Sequence, residues 1–167
     1  MLRAYAGLAP ETLSFIHYEE LASLPHFNPD LDCGIVPTAV QELRRLISEA
    51  DAVLISTPEY AHGLPGSFKN ALDWLVSDPA FYGKAVVILH ASRGSTWALD
   101  SLKEVLRTMS ARIIESASVA VPLGSNQLDE AAIIARADLN KVFKDSIAAL
   151  LSTGATPAFP SDPPQPE

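Results

Sequence analysis

Hydrophobic positions along the chain switch between two rhythms. Residues 52–56 (AVLIS) and 85–89 (AVVIL) are unbroken apolar runs. Runs of that length suit strands covered on both faces, as in a parallel sheet. Each leads into a polar loop, 57–66 (TPEYAHGLPG) and 90–96 (HASRGST), and then into apolar positions at helical spacing. After the first loop these are Phe68, Leu72 and Leu75, with Ala71 beside them. After the second they are Leu99, Leu102, Leu106 and Met109, which predict a helix over 97–110. Upstream, Val40, Leu43, Ile47 and Ala50 predict a helix over 37–50, with Pro37 suited to its first turn.

The flanking segments are read in the same way. Residues 1–9 resemble the end of a helix stopped by Pro10. Residues 12–18 (TLSFIHY) predict a short strand, being rich in aromatic and β-branched side chains. Residues 19–37 predict a loop, punctuated by prolines, Asn28, Asp30 and Gly34. A last strand is expected within 112–120, and a long helix over 128–151 through Leu139, Phe143, Ile147 and Leu150. Residues 154–167 hold five of the thirteen prolines. Residues 1–152 therefore predict one domain, and 153–167 a disordered Pro-rich tail.

Strands alternating with helices give an α/β fold, a doubly wound parallel sheet in three layers with right-handed crossovers. Ligands on such sheets bind beyond the carboxyl ends of the strands. Those ends are the loops at 57–66 and 90–96, and chemistry is expected there.

Composition narrows the classes. The chain has 167 residues, enough for one core-bearing domain, and a net charge of −8. That balance argues against a nucleic-acid partner. No apolar run approaches the ~18 residues of a membrane span, and residues 1–10 do not read as a signal peptide. Cys33 is the single cysteine, so an internal disulfide is excluded and a reducing compartment, the cytoplasm, is expected. His17, His26, His62 and His90 lack metal-ligand spacing, and no metal site is expected. His62 is the histidine best placed to approach a ligand.

Residues 51–74, DAVLISTPEYAHGLPGSFKNALDW, carry a resemblance. They resemble the NAD(P)H-dependent FMN reductases, a flavodoxin-like family that includes chromate and quinone reductases. The family pattern is an apolar strand, T-P-E-Y-N, a few residues, P-G, and L-K-N-A-I/L-D-W. Thr57, Pro58, Glu59, Tyr60, Pro65, Gly66, Lys69, Asn70, Ala71, Asp73 and Trp74 match it. Ala61 departs, where Asn is usual, as does Phe68, where Leu is common. Leu24-Pro25 with Phe27-Asn28-Pro29-Asp30 resembles the family's L-P-x-Y/F-N-x-D, and Gly83-Lys84-Ala85-Val86 its G-K-P-V. The likeness covers roughly residues 1 to 120.

The resemblance implies FMN and NAD(P)H as cofactors and a small-molecule electron acceptor such as a quinone or flavin. It implies that Pro58, Glu59 and Tyr60, with the following turn through Ala61, His62 and Gly63, contact the flavin ring, and that Ser92 and Arg93 line a second flavin-side loop. Backbone N–H groups of a rigid turn suit the acceptors of the pyrimidine edge and the charge that builds there on reduction. No catalytic acid or base is required of the protein for the hydride step. Family members imply a homodimer or homotetramer. Lys69 and Asn70 are either helix-surface residues or cofactor contacts; Asp73 and Trp74 suit packing or a subunit contact.

The family's opening strand and Ser-rich phosphate loop have no counterpart here, because Met1–Tyr5 already aligns with the first helix. The sheet is therefore expected to lack its first strand. That leaves 12–18 and 52–56 unpaired, open to water, or paired with each other. An N-terminally truncated member of the family is the expectation, with weak FMN binding by this chain. The alternative reading is a flavodoxin-like binding or interaction protein without turnover.

Overall fold

A parallel sheet of four short strands organises the computed structural model, which describes residues 1–91, 95–124 and 128–154. Strand β2 (Ala85–Ala91) is central. On one side it pairs with β1 (Ala52–Ile55), in the register Ala52 to Ala85 through Ile55 to Ile88. Its other side is shared by two pieces. β3 (Arg112–Ile113) lies beside its first half and β4 (Val119–Val121) beside its second. The single last strand expected over 112–120 is thus split. A turn closed by the Ser118 N–H to the Ile114 carbonyl (2.9 Å) separates the pieces. The Ser118 hydroxyl then accepts the Ile88 N–H at 3.0 Å, standing in for a missing ladder carbonyl.

Strict alternation along β2 creates the layers. Val86 and Ile88 face one cluster, with Val40 and Leu43 of α3 (Thr38–Glu49), Leu72, Trp74 and Leu75 of α4 (Gly66–Leu75), and Leu102 and Leu106 of α5 (Trp97–Thr108). Ala85, Val87 and Leu89 face the other, with Tyr5 of α1 (Leu2–Gly7), Ile133 of α6 (Glu130–Ala135), and Leu139, Phe143 and Ile147 of α7 (Ala137–Ser152). Each fully buried large side chain contributes roughly 2–3 kcal/mol of transfer free energy. The three-layer α/β expectation holds.

Three expectations are corrected. Residues 12–18 form no strand among the described residues. Leu13 and Phe15 pack against the second cluster and Tyr18 against the first, while Ile16 is 70% exposed. Apart from a local turn bond from the Leu13 N–H to the Pro10 carbonyl (3.0 Å), the segment packs by its side chains, and no strand pairs with it among the described residues. β1 consequently ends the sheet and is only partly buried, rather than covered on both faces. The long helix over 128–151 is two helices, broken at Arg136, whose backbone is extended (φ −80°, ψ 112°). Arg136 donates to the Leu123 carbonyl at 3.0 Å and pairs with Asp138, and these contacts fix the bend. The 19–37 connection contains a 3-10 turn (Glu20–Ser23) and a one-turn helix α2 (Pro29–Asp32), capped by the Asn28 side chain.

Two polar ties fix the helices that carry the 57–66 loop. Arg44 of α3 donates to Asp32 (2.7 Å) and to the Trp74 carbonyl (2.6 Å), and lies 3.4 Å from Asp78. The Lys84 ammonium, largely buried, caps the carbonyl end of α3 at Ala50 (2.7 Å). Burial pushes its pKa down, partly offset by Asp51 and Asp78. This is the structural use of the Gly83-Lys84 pair.

Candidate functional site

β1 delivers the chain to its carboxyl end at Ile55, and residues 57–63 turn back there. The turn is a two-residue hairpin. The Tyr60 N–H donates to the Gly63 carbonyl (3.0 Å), and the Gly63 N–H to the Tyr60 carbonyl (2.9 Å). Its two central residues, Ala61 and His62, hold left-handed backbone, φ 48° and 60°. Such turns favour Asn and Gly, because a Cβ crowds the following carbonyl in this region. The Asn usual in the resembling family at position 61 therefore has a conformational reason, and Ala61 keeps the same backbone at some strain.

The N–H groups of Ala61 and His62 meet no protein acceptor among the described residues. Both residues are exposed, as are Pro58 and Tyr60. The turn thus offers main-chain donors and one aromatic face to a ligand.

The carboxylate of Glu59 points away from these donors. One oxygen accepts the Ala98 N–H at 3.0 Å and the other accepts the Ser95 hydroxyl. Thr96, at the N-cap of α5, makes no side-chain cap bond there and reaches Asp100 instead. Glu59 therefore caps α5 from the other loop, and the helix N-terminus favours its negative form. The Ala98 bond, then the Ser95 bond, hold its pKa below the ordinary glutamate value.

A second contact joins the same loops. The His62 imidazole stacks on the Trp97 indole, centroids 5.8 Å apart and planes within 16°. Trp97, the first residue of α5, stays 62% exposed. The sequence reading missed Trp97 and Ser95, since neither belongs to the motif or to the apolar stripe. An aromatic side chain directly after a polar strand-end loop was the available signal.

Pro58 through Gly63 thus lie together on one turn, with Glu59 committed to α5. Ser92 and Arg93 lie outside the described residues. Asn70 is a clamp rather than a loose surface residue. Its side-chain oxygen accepts the Phe27 N–H (2.8 Å) and its amide donates to the Pro25 carbonyl (3.0 Å). The Trp74 indole N–H donates to the same carbonyl (2.8 Å), and its ring meets Phe27 edge-on at 5.0 Å. Trp74 is fully buried, so packing is its role. Lys69 pairs with Asp73 one turn along α4. These contacts explain why the Leu24–Asp30 and Lys69–Trp74 motifs occur together. A groove of about 470 Å³ runs between α4 and α5, lined by Lys69, Val76, Tyr82, Val105 and Met109 among others. No residue of the 57–63 turn lines it.

Among the described residues no group of three or more His, Cys, Asp or Glu is arranged to hold a metal, and no helix is long and apolar enough to cross a membrane.

Comparison with known proteins bears on the family and the fold. The chain is 39% identical over 95 residues to an NAD(P)H-dependent FMN reductase of Pseudomonas aeruginosa, covering 56% of this chain and 51% of that protein. It is 35% identical over 96 residues to a quinone reductase of Escherichia coli K12, covering 55% and 50% respectively. The chain thus matches about half the length of these curated relatives. Among solved structures it is similar to FerB, a flavoenzyme NAD(P)H:(acceptor) oxidoreductase from Paracoccus denitrificans. The TM-score is 0.71 and the identity 24%, over 90% of this chain and 87% of that one, which supports the flavodoxin-like fold. The family model described as NADPH-dependent FMN reductase matches residues 1–126, and the chain therefore belongs to that family.

Proposed function

We propose that the protein is an FMN-dependent NAD(P)H oxidoreductase acting on quinone-type acceptors. The net reaction takes NAD(P)H, a proton and a quinone to NAD(P)⁺ and a hydroquinone. The observation that carries this reading is the 57–63 hairpin at the carboxyl end of β1, with the Ala61 and His62 N–H groups unclaimed by any protein acceptor among the described residues. These donors fit the acceptor edge of a flavin. The residues that would hold the ring are Pro58, Tyr60, Ala61, His62 and Gly63, with Ser92 and Arg93 assigned to the second loop. Glu59 acts differently from the others, fixing the turn against α5 through Ser95 and Ala98.

FMN held by Pro58, Tyr60 and the 61–63 turn would supply the hydride and electron-transfer chemistry. The protein's part is to bind and orient. Main-chain donors aimed at the pyrimidine edge favour the charge that reduction places on it. Pro58 restricts the backbone entering the turn. No side chain is assigned a proton-transfer role.

Residues 1–152 constitute the functional domain in this reading and 153–167 a tail. A cytoplasmic location suits the lone thiol of Cys33, and a homodimer or homotetramer suits the family. A turnover-free binding protein drew its support partly from Ala61 replacing Asn. That support weakens, since Ala61 holds the left-handed backbone the position requires.

The test is direct. The purified protein is titrated with FMN, following flavin fluorescence, and assayed for NADH and NADPH oxidation with 1,4-naphthoquinone. Saturable FMN binding with acceptor-dependent oxidation is expected. Tight FMN binding or NADPH oxidation would remove the turnover-free reading, and neither binding nor oxidation would count against the oxidoreductase.

A further inference from the structure

Trp97 is the exposed aromatic residue that the proposed cofactor contacts leave unexplained at the strand-end site. Its indole is 62% open although it stands at the first position of α5, next to the fully engaged cap at Ala98. One face is stacked on His62. The stack is held from both sides: the Glu59 clamp bolts the turn to α5, and left-handed backbone at Ala61 and His62 presents the imidazole. Residues in sparsely populated backbone regions persist where the surroundings over-determine them, commonly at ligand clamps.

We propose that Trp97, backed by His62, is the stacking surface by which the protein selects planar aromatic electron acceptors over small non-aromatic oxidants. The inference rests on the oxidoreductase reading above and names the acceptor class of that same site. Three features argue for it. The two rings are already near parallel, so a third flat ring extends the pile in the offset geometry that aromatic pairs prefer. The two carboxylates of this helix end are engaged, Glu59 by Ser95 and Ala98 and Asp100 by the Thr96 hydroxyl, so the indole itself is left open as π surface. Tyr60, 64% exposed on the same hairpin, gives the turn a second open aromatic side chain. The N-terminus of α5 is already occupied by Glu59 and is not free for a phosphate.

The experiment compares wild type with Trp97→Ala and Trp97→Phe, using 1,4-naphthoquinone and ferricyanide as acceptors in the presence of FMN. Trp97→Ala is expected to raise KM for the quinone about tenfold, the scale of one aromatic stack, while leaving kcat and KM for ferricyanide unchanged. Trp97→Phe is expected to recover most of the quinone KM. Equal effects on both acceptors, or no effect on the quinone, would overturn the proposal. So would a change of oligomeric state in Trp97→Ala, which would mark the indole as a subunit contact.

A second readout does not need turnover. Trp74 is buried and Trp97 open, so 1,4-naphthoquinone should quench the red-shifted, Trp97 part of the emission saturably, with unchanged fluorescence lifetime. Trp97→Phe should abolish that component. If wild type reduces neither acceptor, the oxidoreductase reading fails while the quench still decides whether Trp97 binds flat rings. Collisional, non-saturating quench would show that it does not.

Discussion

Asn70→Ala tests whether the family's helix motif acts by clamping or by touching the cofactor. The substitution removes two hydrogen bonds, Phe27 N–H to the Asn70 oxygen and the Asn70 amide to the Pro25 carbonyl. Each is worth about 1 kcal/mol net. Pro25 keeps its bond from the Trp74 indole, and Phe27 is 38% exposed, so water can reach the freed N–H. The expected loss is therefore about 2 kcal/mol, without the larger penalty of a sealed orphan donor. With a urea m-value of about 2 kcal/mol per molar, the midpoint should fall by about 1 M. Asn70→Asp should cost about as much, because it keeps the acceptor for Phe27 but sets a carboxylate oxygen against the Pro25 carbonyl. Asn70→Ala and Trp74→Phe should be non-additive, since both donors serve one carbonyl. The assay is urea unfolding followed by circular dichroism, which serves the Trp74→Phe variants as well, alongside FMN titration. A midpoint shift below about 0.3 M, combined with tenfold weaker FMN binding, would place Asn70 on the cofactor and refute the clamp.

Three further outcomes are expected. Ala61→Asn should stabilise the fold by up to about 1 kcal/mol, because Asn tolerates the left-handed backbone that Ala61 adopts at φ 48°; thermal unfolding measures it. Arg44→Ala should destabilise by about 3 kcal/mol, since it leaves the largely buried carboxylates of Asp32 and Asp78 without their cation; urea midpoints at neutral pH check this. Glu59→Gln should change the acid limb of stability. The folded pKa of Glu59 is depressed, so its contribution is present above the unfolded value of about 4.3 and is lost as pH falls through the folded pKa. The gap in urea midpoint between wild type and Glu59→Gln should therefore narrow below about pH 4.3, and a constant gap would remove the ionised clamp.

Legibility in the sequence followed locality. β2 could be read because AVVIL is apolar on both faces and both faces are in fact covered. Residues 12–18 have a strand's composition, but β propensity reports fit to neighbouring strands, and no neighbour is there. The break at Arg136 was hidden because apolar positions continue on either side of it, while its cause, the Leu123 carbonyl, is distant in sequence. The turn at 57–63 was visible through its prolines, glycines and motif. Where the Glu59 side chain goes was not, since its partners lie across the other loop, at Ser95 and Ala98. Motif matching assigned Asn70 and Trp74 to a pattern without saying what they hold.

The Glu59 bridge makes one proton a clock. The Ala98 amide is bonded to a side chain from the hairpin instead of to its own helix, so deuterium replaces that proton when the hairpin lets go. Following this single resonance times the parting of two loops that are far apart along the chain. A ligand lying across both would slow the clock, and one resting on either alone would leave it running.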